Sequence, residues 1–413
     1  MSRRLPGKLV LGLVAALVAV ELALHLAPGL LPRAYRARFP MLGVEFFHPG
    51  ILERTPIEGL PLPLPSSAHR GPPPADLVEF GVAPADAGAD ARAYPAVELD
   101  CDALGFPNER VLEQADLVLV GDSFGVAAGV RVPRGLQLGL AEATRLVVYN
   151  ASVAGIGPVQ ERWLVEHVAL ARKPRAVLWL FFSGNDLTAS YEPYLHRREG
   201  RTTWAEAYAD RRKPTLYLVD LLRWRFAGHG TPPCPSPLPA FAFPLAHGTR
   251  ASLWLHPDYL RQLAWTRAQW EEHPVWAVVK DDLRAAREAC RAAGSRLVLV
   301  YLPSTPEVLL PQLERDPELA LRTAAAFGAE VPTSKPDELY ELLLANRHAL
   351  EDVVEQFCES ESIPFFSATG ALEAQAARGE LGFLTTDTHW SPAGQTAVVE
   401  PLVEFLRAQG VAE

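Results

Sequence analysis

Four short segments of this chain hold side chains that could do chemistry together. Gly121-Asp122-Ser123-Phe124 offers a hydroxyl, and Asn150-Ala151-Ser152-Val153-Ala154-Gly155 ends in a glycine. Ser183-Gly184-Asn185-Asp186 offers an amide, and Asp387-Thr388-His389-Trp390 an imidazole with a carboxylate two residues before it. A serine becomes a nucleophile when a base takes its proton. A carboxylate on one imidazole nitrogen fixes the tautomer and leaves the other nitrogen to act as that base. The Asn185 amide and the Gly155 N–H, which no side chain shields, can donate to a developing oxyanion. The set therefore points to acyl transfer, with Ser123 as nucleophile, His389 as base and Asp387 as its orienter. Asp122 and Asp186 read as organisers of their turns.

Singly, each segment has a plainer reading. Ser123 could cap a helix, Asn185 and Gly155 could be ordinary turn residues, and His389 could sit in a surface capping loop. Joint order favours chemistry, because each segment lies just after a strand-like run or in the loop before the closing helix. The runs are Leu117–Val120, Leu146–Tyr149, Ala176–Phe182, Arg296–Tyr301 and Ile363–Phe366, the last weakened by Pro364. Helical spacing occupies Val159–Arg172, Asp281–Ala293, Leu339–Cys358 and Pro392–Ala408, with a helix-like stretch from about Leu136. Such alternation predicts a mostly parallel sheet with helices on both faces, whose chemistry gathers at the carboxyl ends of the strands.

Between Asp186 and Val275 the alternation stops. This stretch, about 187–275, is rich in aromatics (Trp204, Trp224, Trp254, Trp265 and Trp270 among them) and reads as an insertion forming a lid or side wall. Its tryptophans read as core before ligand platform, although rings lining a cleft would suit sugars.

At the N-terminus, Arg3, Arg4 and Lys8 precede an apolar run, Leu9–Val20, that continues through Glu21 and His25 to Ala27. The pattern is that of a signal anchor, a cleaved signal or an interfacial helix. Its length and the Pro28 that follows favour the uncleaved anchor, with the body outside the cytoplasm. Prolines are dense from Pro40 to Pro95, in Leu60-Pro61-Leu62-Pro63-Leu64-Pro65 and Pro72-Pro73-Pro74, which marks a linker. The organisation expected is an anchor over 1–39, a linker over 40–104 and a catalytic domain over 105–413.

The 413 residues carry a net charge of -10, which argues against nucleic acid as the main partner. Cys101, Cys234, Cys290 and Cys358 form no CxxC pair; they could be buried thiols or, outside the cytoplasm, one or two disulfides. No histidine or carboxylate spacing suggests a metal site, and neither metal nor cofactor is expected.

The four segments resemble the conserved blocks of the SGNH/GDSL hydrolase superfamily. The resemblance spans roughly Gly105 to the C-terminus. It implies a flavodoxin-like three-layer α/β/α fold, a Ser123–His389–Asp387 triad, and an oxyanion hole made by the Ser123 and Gly155 N–H groups with Asn185. Through Asp-x-His-Trp the chain is also similar, more loosely, to polysaccharide O-acetyltransferases of the alginate type, in which the block order differs. Two positions depart from the usual blocks: Ser183 replaces the glycine of Gly-x-Asn-Asp, and Thr386 stands where Asp-x-x-His places its aspartate. The expected activity is ester hydrolysis or O-acyl transfer on acyl, above all acetyl, esters of a cell-envelope carbohydrate. It would act beside envelope polysaccharide-modification proteins. A lipase or thioesterase, or a catalytically silent glycan-binding or scaffold subunit, is the alternative.

Overall fold

Apolar runs that alternate between two cores build the centre of this protein. The structure is a computed structural model that describes residues 7–26, 68–71, 97–126, 135–189, 216–226, 240–326 and 329–412. Strands β1 (Ala68–Gly71) and β2 (Val97–Asp100) pair antiparallel as a separate ribbon within the proline-rich segment. The main sheet consists of β3 (Leu117–Val120), β4 (Val148–Asn150), β5 (Ala176–Phe182), β8 (Arg296–Leu302) and β9 (Phe365–Ser367). Its order is β4-β3-β5-β8-β9, and every neighbouring pair is parallel. Strands β6 (Phe241–Pro244) and β7 (Arg250–Leu253) form an antiparallel hairpin inside the insertion.

Side chains of a strand alternate in direction, and the packing follows that rule. Leu117 and Leu119 enter one core, and Val118 and Val120 the other. Leu178, Leu180 and Phe182 enter the first, and Val177, Trp179 and Phe181 the second. The helices Leu136–Thr144, Thr369–Ala377 and Pro392–Ala408 cover the first face. Pro158–Leu164, Pro274–Ala292 and Ala349–Glu361 cover the second. The result is an α/β fold of three layers.

Several elements differ from the sequence expectation, each for a local reason. Strand β9 begins after Pro364, which has no N–H to give the ladder but accepts from the Leu299 N–H at 2.9 Å. The helix expected over 339–358 is two, Pro336–Asn346 and Ala349–Glu361. Leu339 and Leu343 belong to the first core, whereas Leu350, Val353 and Val354 belong to the second. One straight helix could not serve both faces of the sheet. The stretch expected as helix over 159–172 is α-helical to Leu164, then widens to a π-turn over Val165–Ala169 and tightens over Leu170–Arg172.

A 20-residue helix, Gly7–Leu26, lies near the N-terminus. Counted over the residues whose side chains are described, no helix is long and apolar enough to cross a membrane. Cys290 and Cys358 are free, buried thiols, and Cys101 is buried as well. Cys234, Trp204 and the proline runs at 60–65 and 72–74 lie outside the described residues.

Candidate active site

In a sheet of this order the chain leaves β3 toward β4 on one side and returns to β5 on the other. The crevice between β3 and β5 is thus the point where the winding reverses, the usual place for a ligand. Gly121-Asp122-Ser123 follows β3 and Ser183-Gly184-Asn185-Asp186 follows β5, so both loops open at that crevice. Ser123 lies in a tight turn, not at a helix start; the next described helix begins at Leu136.

The loop before the helix Pro392–Ala408 brings His389 to Ser123 across the top of the sheet. Its Nε2 is 2.8 Å from Ser123 Oγ, and its Nδ1 is 2.5 Å from Asp387 Oδ1. The same Oδ1 accepts the His389 backbone N–H at 2.8 Å. This side-chain turn explains the two-residue spacing: the carboxylate folds back over one residue and meets both the backbone and the ring of the histidine. With the Nδ1 proton directed at Asp387, Nε2 is left to accept from the Ser123 hydroxyl. Thr386, at the usual aspartate position, is not needed for this contact. His389 packs at 4.7 Å between ring centroids against Phe124, which also meets the buried Trp390 edge-on.

Close packing fixes the Ser123 turn from below. A Cβ on Gly125 would lie 2.1 Å from Ser152 Oγ, so only glycine fits there. Asn150 Nδ2 donates to the Gly125 carbonyl at 2.6 Å, and Asn150 Oδ1 accepts the Ser152 N–H at 3.0 Å. Gly155 sits on an exposed turn with φ +75°, a conformation that favours glycine, and nothing occupies the space where a Cβ would be. Asn185 is half-buried beside Asp122, whose carboxylate accepts from its side chain.

Beneath the turn, carboxylates gather that the sequence does not bring together. Asp122 Oδ1 accepts the Phe124 N–H at 2.9 Å, and Asp186 Oδ2 the Phe182 N–H at 2.9 Å. Glu161, on the helix Pro158–Leu164, is fully buried near them. Burial is the main cause that raises all three above the usual carboxylate range, Asp122 to about 6. The charge of Asp122 pushes Glu161 further up, and Glu161 does the same to Asp186. No group of side chains able to hold a metal ion occurs among the described residues.

The insertion packs onto the site instead of standing apart from it. The Trp254 N–H donates to the Thr385 carbonyl at 2.8 Å, and Gln262 Nε2 to the Gly184 carbonyl at 2.9 Å. Trp254 and Trp270 are buried core residues. His256 stacks on Tyr259 at 4.1 Å, and burial, with the Arg261 charge, holds it far down at about 3, so it is neutral.

No protein-family model matches the chain. A stretch of 129 residues is 29% identical to a curated protein of Pseudomonas putida described as a probable alginate O-acetylase, AlgJ. That stretch covers 31% of this chain and 27% of AlgJ, so the chain spans about a quarter of that relative. Among solved structures it is similar to phospholipase A1 from Streptomyces albidoflavus, at 11% identity and a TM-score of 0.36, covering 70% of this chain and 98% of that one. It is also similar to a catalytic mutant of the acetylxylan esterase Axe2 from Geobacillus stearothermophilus, at 13% identity and a TM-score of 0.36, over 72% and 95% of the two chains. A member of the lipolytic G-D-S-L family from Veillonella parvula matches at 9% identity and a TM-score of 0.35, over 70% and 96%.

Proposed function

We propose that this chain is a serine-dependent ester hydrolase or O-acyltransferase. One observation carries the reading: the hydroxyl of Ser123, the ring of His389 and the carboxylate of Asp387 stand in one hydrogen-bonded line. Ser123 Oγ attacks the acyl carbonyl carbon while its proton passes to His389 Nε2. Asp387 orients the ring and stabilises the imidazolium. The new oxyanion meets donors from Asn185 and from the Ser123 and Gly155 N–H groups. Collapse breaks the bond to the alcohol, whose oxygen takes the proton from His389. Water or a second hydroxyl then gives its proton to His389 and attacks the acyl-serine, and Ser123 recovers its proton as it leaves.

The substrate we assign is an acyl ester, above all acetyl, of a cell-envelope carbohydrate. The 129-residue likeness to an alginate O-acetylase supports it. We also assign an anchored, extracytoplasmic placement beside envelope polysaccharide-modification proteins. The helix Gly7–Leu26 would supply the anchor. Val14, Leu17, Val18, Val20 and Leu22 on it are exposed in several directions, which suits lipid better than water.

The test mixes the full chain in detergent with p-nitrophenyl acetate and follows nitrophenolate release and intact mass. One acetyl on Ser123, absent in Ser123→Ala and His389→Ala, is the expected result. Release that persists undiminished in Ser123→Ala would refute the mechanism.

A further inference from the structure

A buried bracket ties the loop that carries Asn185 to the loop after β8. Ser183 Oγ donates to Glu307 Oε2 at 2.7 Å. The Ser304 N–H reaches both Glu307 Oε2, at 2.6 Å, and Ser183 Oγ, at 2.9 Å. The Tyr301 hydroxyl donates to Glu307 Oε1 at 2.9 Å. All four residues are buried, none more than 4% exposed. Burying a carboxylate costs free energy, and these three donors offset part of that cost while fixing the groups that supply them.

Part of it serves the short helix Thr305–Leu309, where the Glu307 carboxylate accepts the N–H of the N-cap residue Ser304. Ser183 reaches further: besides accepting the Ser304 N–H, it ties Glu307 to a loop 124 residues away. Its effect falls on the next two residues. The Ser183 N–H donates to the Leu302 carbonyl at 3.0 Å, so Ser183 is held by both backbone and side chain to the β8 end. The Gly184 carbonyl is held by Gln262 at 2.9 Å. Gly184 cannot carry a side chain, since a Cβ would come 2.5 Å from the Phe182 ring. On the far side, Asp186 closes back on the Phe182 N–H. Asn185 is therefore presented by a backbone fixed on both sides, and Ser183 stands where the related blocks have glycine.

We propose that Ser183 and Glu307 are positioning residues, which hold the Asn185 amide at the oxyanion through the backbone of Ser183 and Gly184. The proposal rests on the acyl-transfer reading above. It extends that reading by giving a role to the serine that replaces glycine and to a buried acid outside the proton relay.

The experiment compares the full chain with Ser183→Ala, Glu307→Gln, Asn185→Ala and the double variant Ser183→Ala/Asn185→Ala, by steady-state hydrolysis of p-nitrophenyl acetate and by thermal melting. Losing an oxyanion donor typically lowers kcat by about 10²–10³, and displacing one should cost about tenfold. Ser183→Ala is expected to lower kcat by roughly that amount, with KM nearly unchanged. Glu307→Gln, which keeps an acceptor for Ser183, should lose less than Ser183→Ala. With Asn185 already removed, Ser183→Ala should have no further effect, because a positioning residue cannot position an absent group. Effects that multiply in the double variant, or an unchanged kcat in Ser183→Ala, would overturn the proposal. A wild-type chain that forms no acyl-Ser123 would instead refute the acyl-transfer reading. Amide hydrogen exchange of the peptide over 181–187 then decides the bracket independently: faster exchange in Ser183→Ala supports it, and unchanged exchange overturns it.

Discussion

Asp387 serves His389 twice with one oxygen, through the ring Nδ1 and through the backbone N–H. An amide oxygen at that place could still accept the backbone bond, but it would carry no charge to stabilise an imidazolium. Asp387→Asn should therefore fold normally yet lose about 10³–10⁴ in kcat, the usual scale for that exchange in a serine triad. Acylation of Ser123 in a single turnover checks it, and a loss under tenfold would remove Asp387 from the mechanism. The meeting of Ser123, His389 and Asp387 is legible in the sequence, because residue type and short spacing mark them. Glu161 and Glu307 are not. Glu161 lies in a segment that reads as ordinary helix and Glu307 in one that carries no clear pattern, and what makes each unusual is burial beside a group contributed by another loop.

Among the elements, the strands were the legible part. Runs such as Ala176–Phe182 are apolar at every position because both faces of the sheet are covered, and the packing divides them alternately between two cores. The division of 336–361 into two helices was not legible, since apolar spacing continues across the break while the target face changes. The hairpin β6–β7 is not legible either, lying in an aromatic stretch without alternation. Glycines in the site loops separate two demands, space and backbone angle. Gly125→Ala meets Ser152 at 2.1 Å and should cost about 1–3 kcal/mol or more, with kcat falling as the Ser123 turn shifts. Gly155→Ala meets nothing within 4 Å, so only its φ of +75° is penalised, at about 1–2 kcal/mol. Urea unfolding of the two variants ranks them, and a larger loss for Gly155→Ala would show that the space around Gly125 is less rigid than its contacts imply.

At the scale of the whole molecule, the buried acids give stability a definite pH dependence. Glu307 is pushed up to about 7, chiefly by burial, and Asp122 to about 6; Glu161 and Asp186 are raised well beyond their ordinary values. In each case the folded chain holds its proton more tightly than the unfolded chain does. Stability is then fullest below the unfolded values, near pH 4, and falls as pH rises through the folded ones, toward 7. For Glu307 the change from 4.5 to about 7 corresponds to at most about 3 kcal/mol. The net charge of -10 acts in the same direction, because raising pH adds negative charge to a chain already repelling itself. Glu307→Gln distinguishes the two causes: a neutral amide removes the buried titration and changes the net charge by only one. Urea midpoints should decline from pH 5 to pH 8 in the wild type and decline less steeply in Glu307→Gln. Equal slopes would assign the decline to general charge repulsion, and a flat wild-type profile would mean that these carboxylates do not hold their protons.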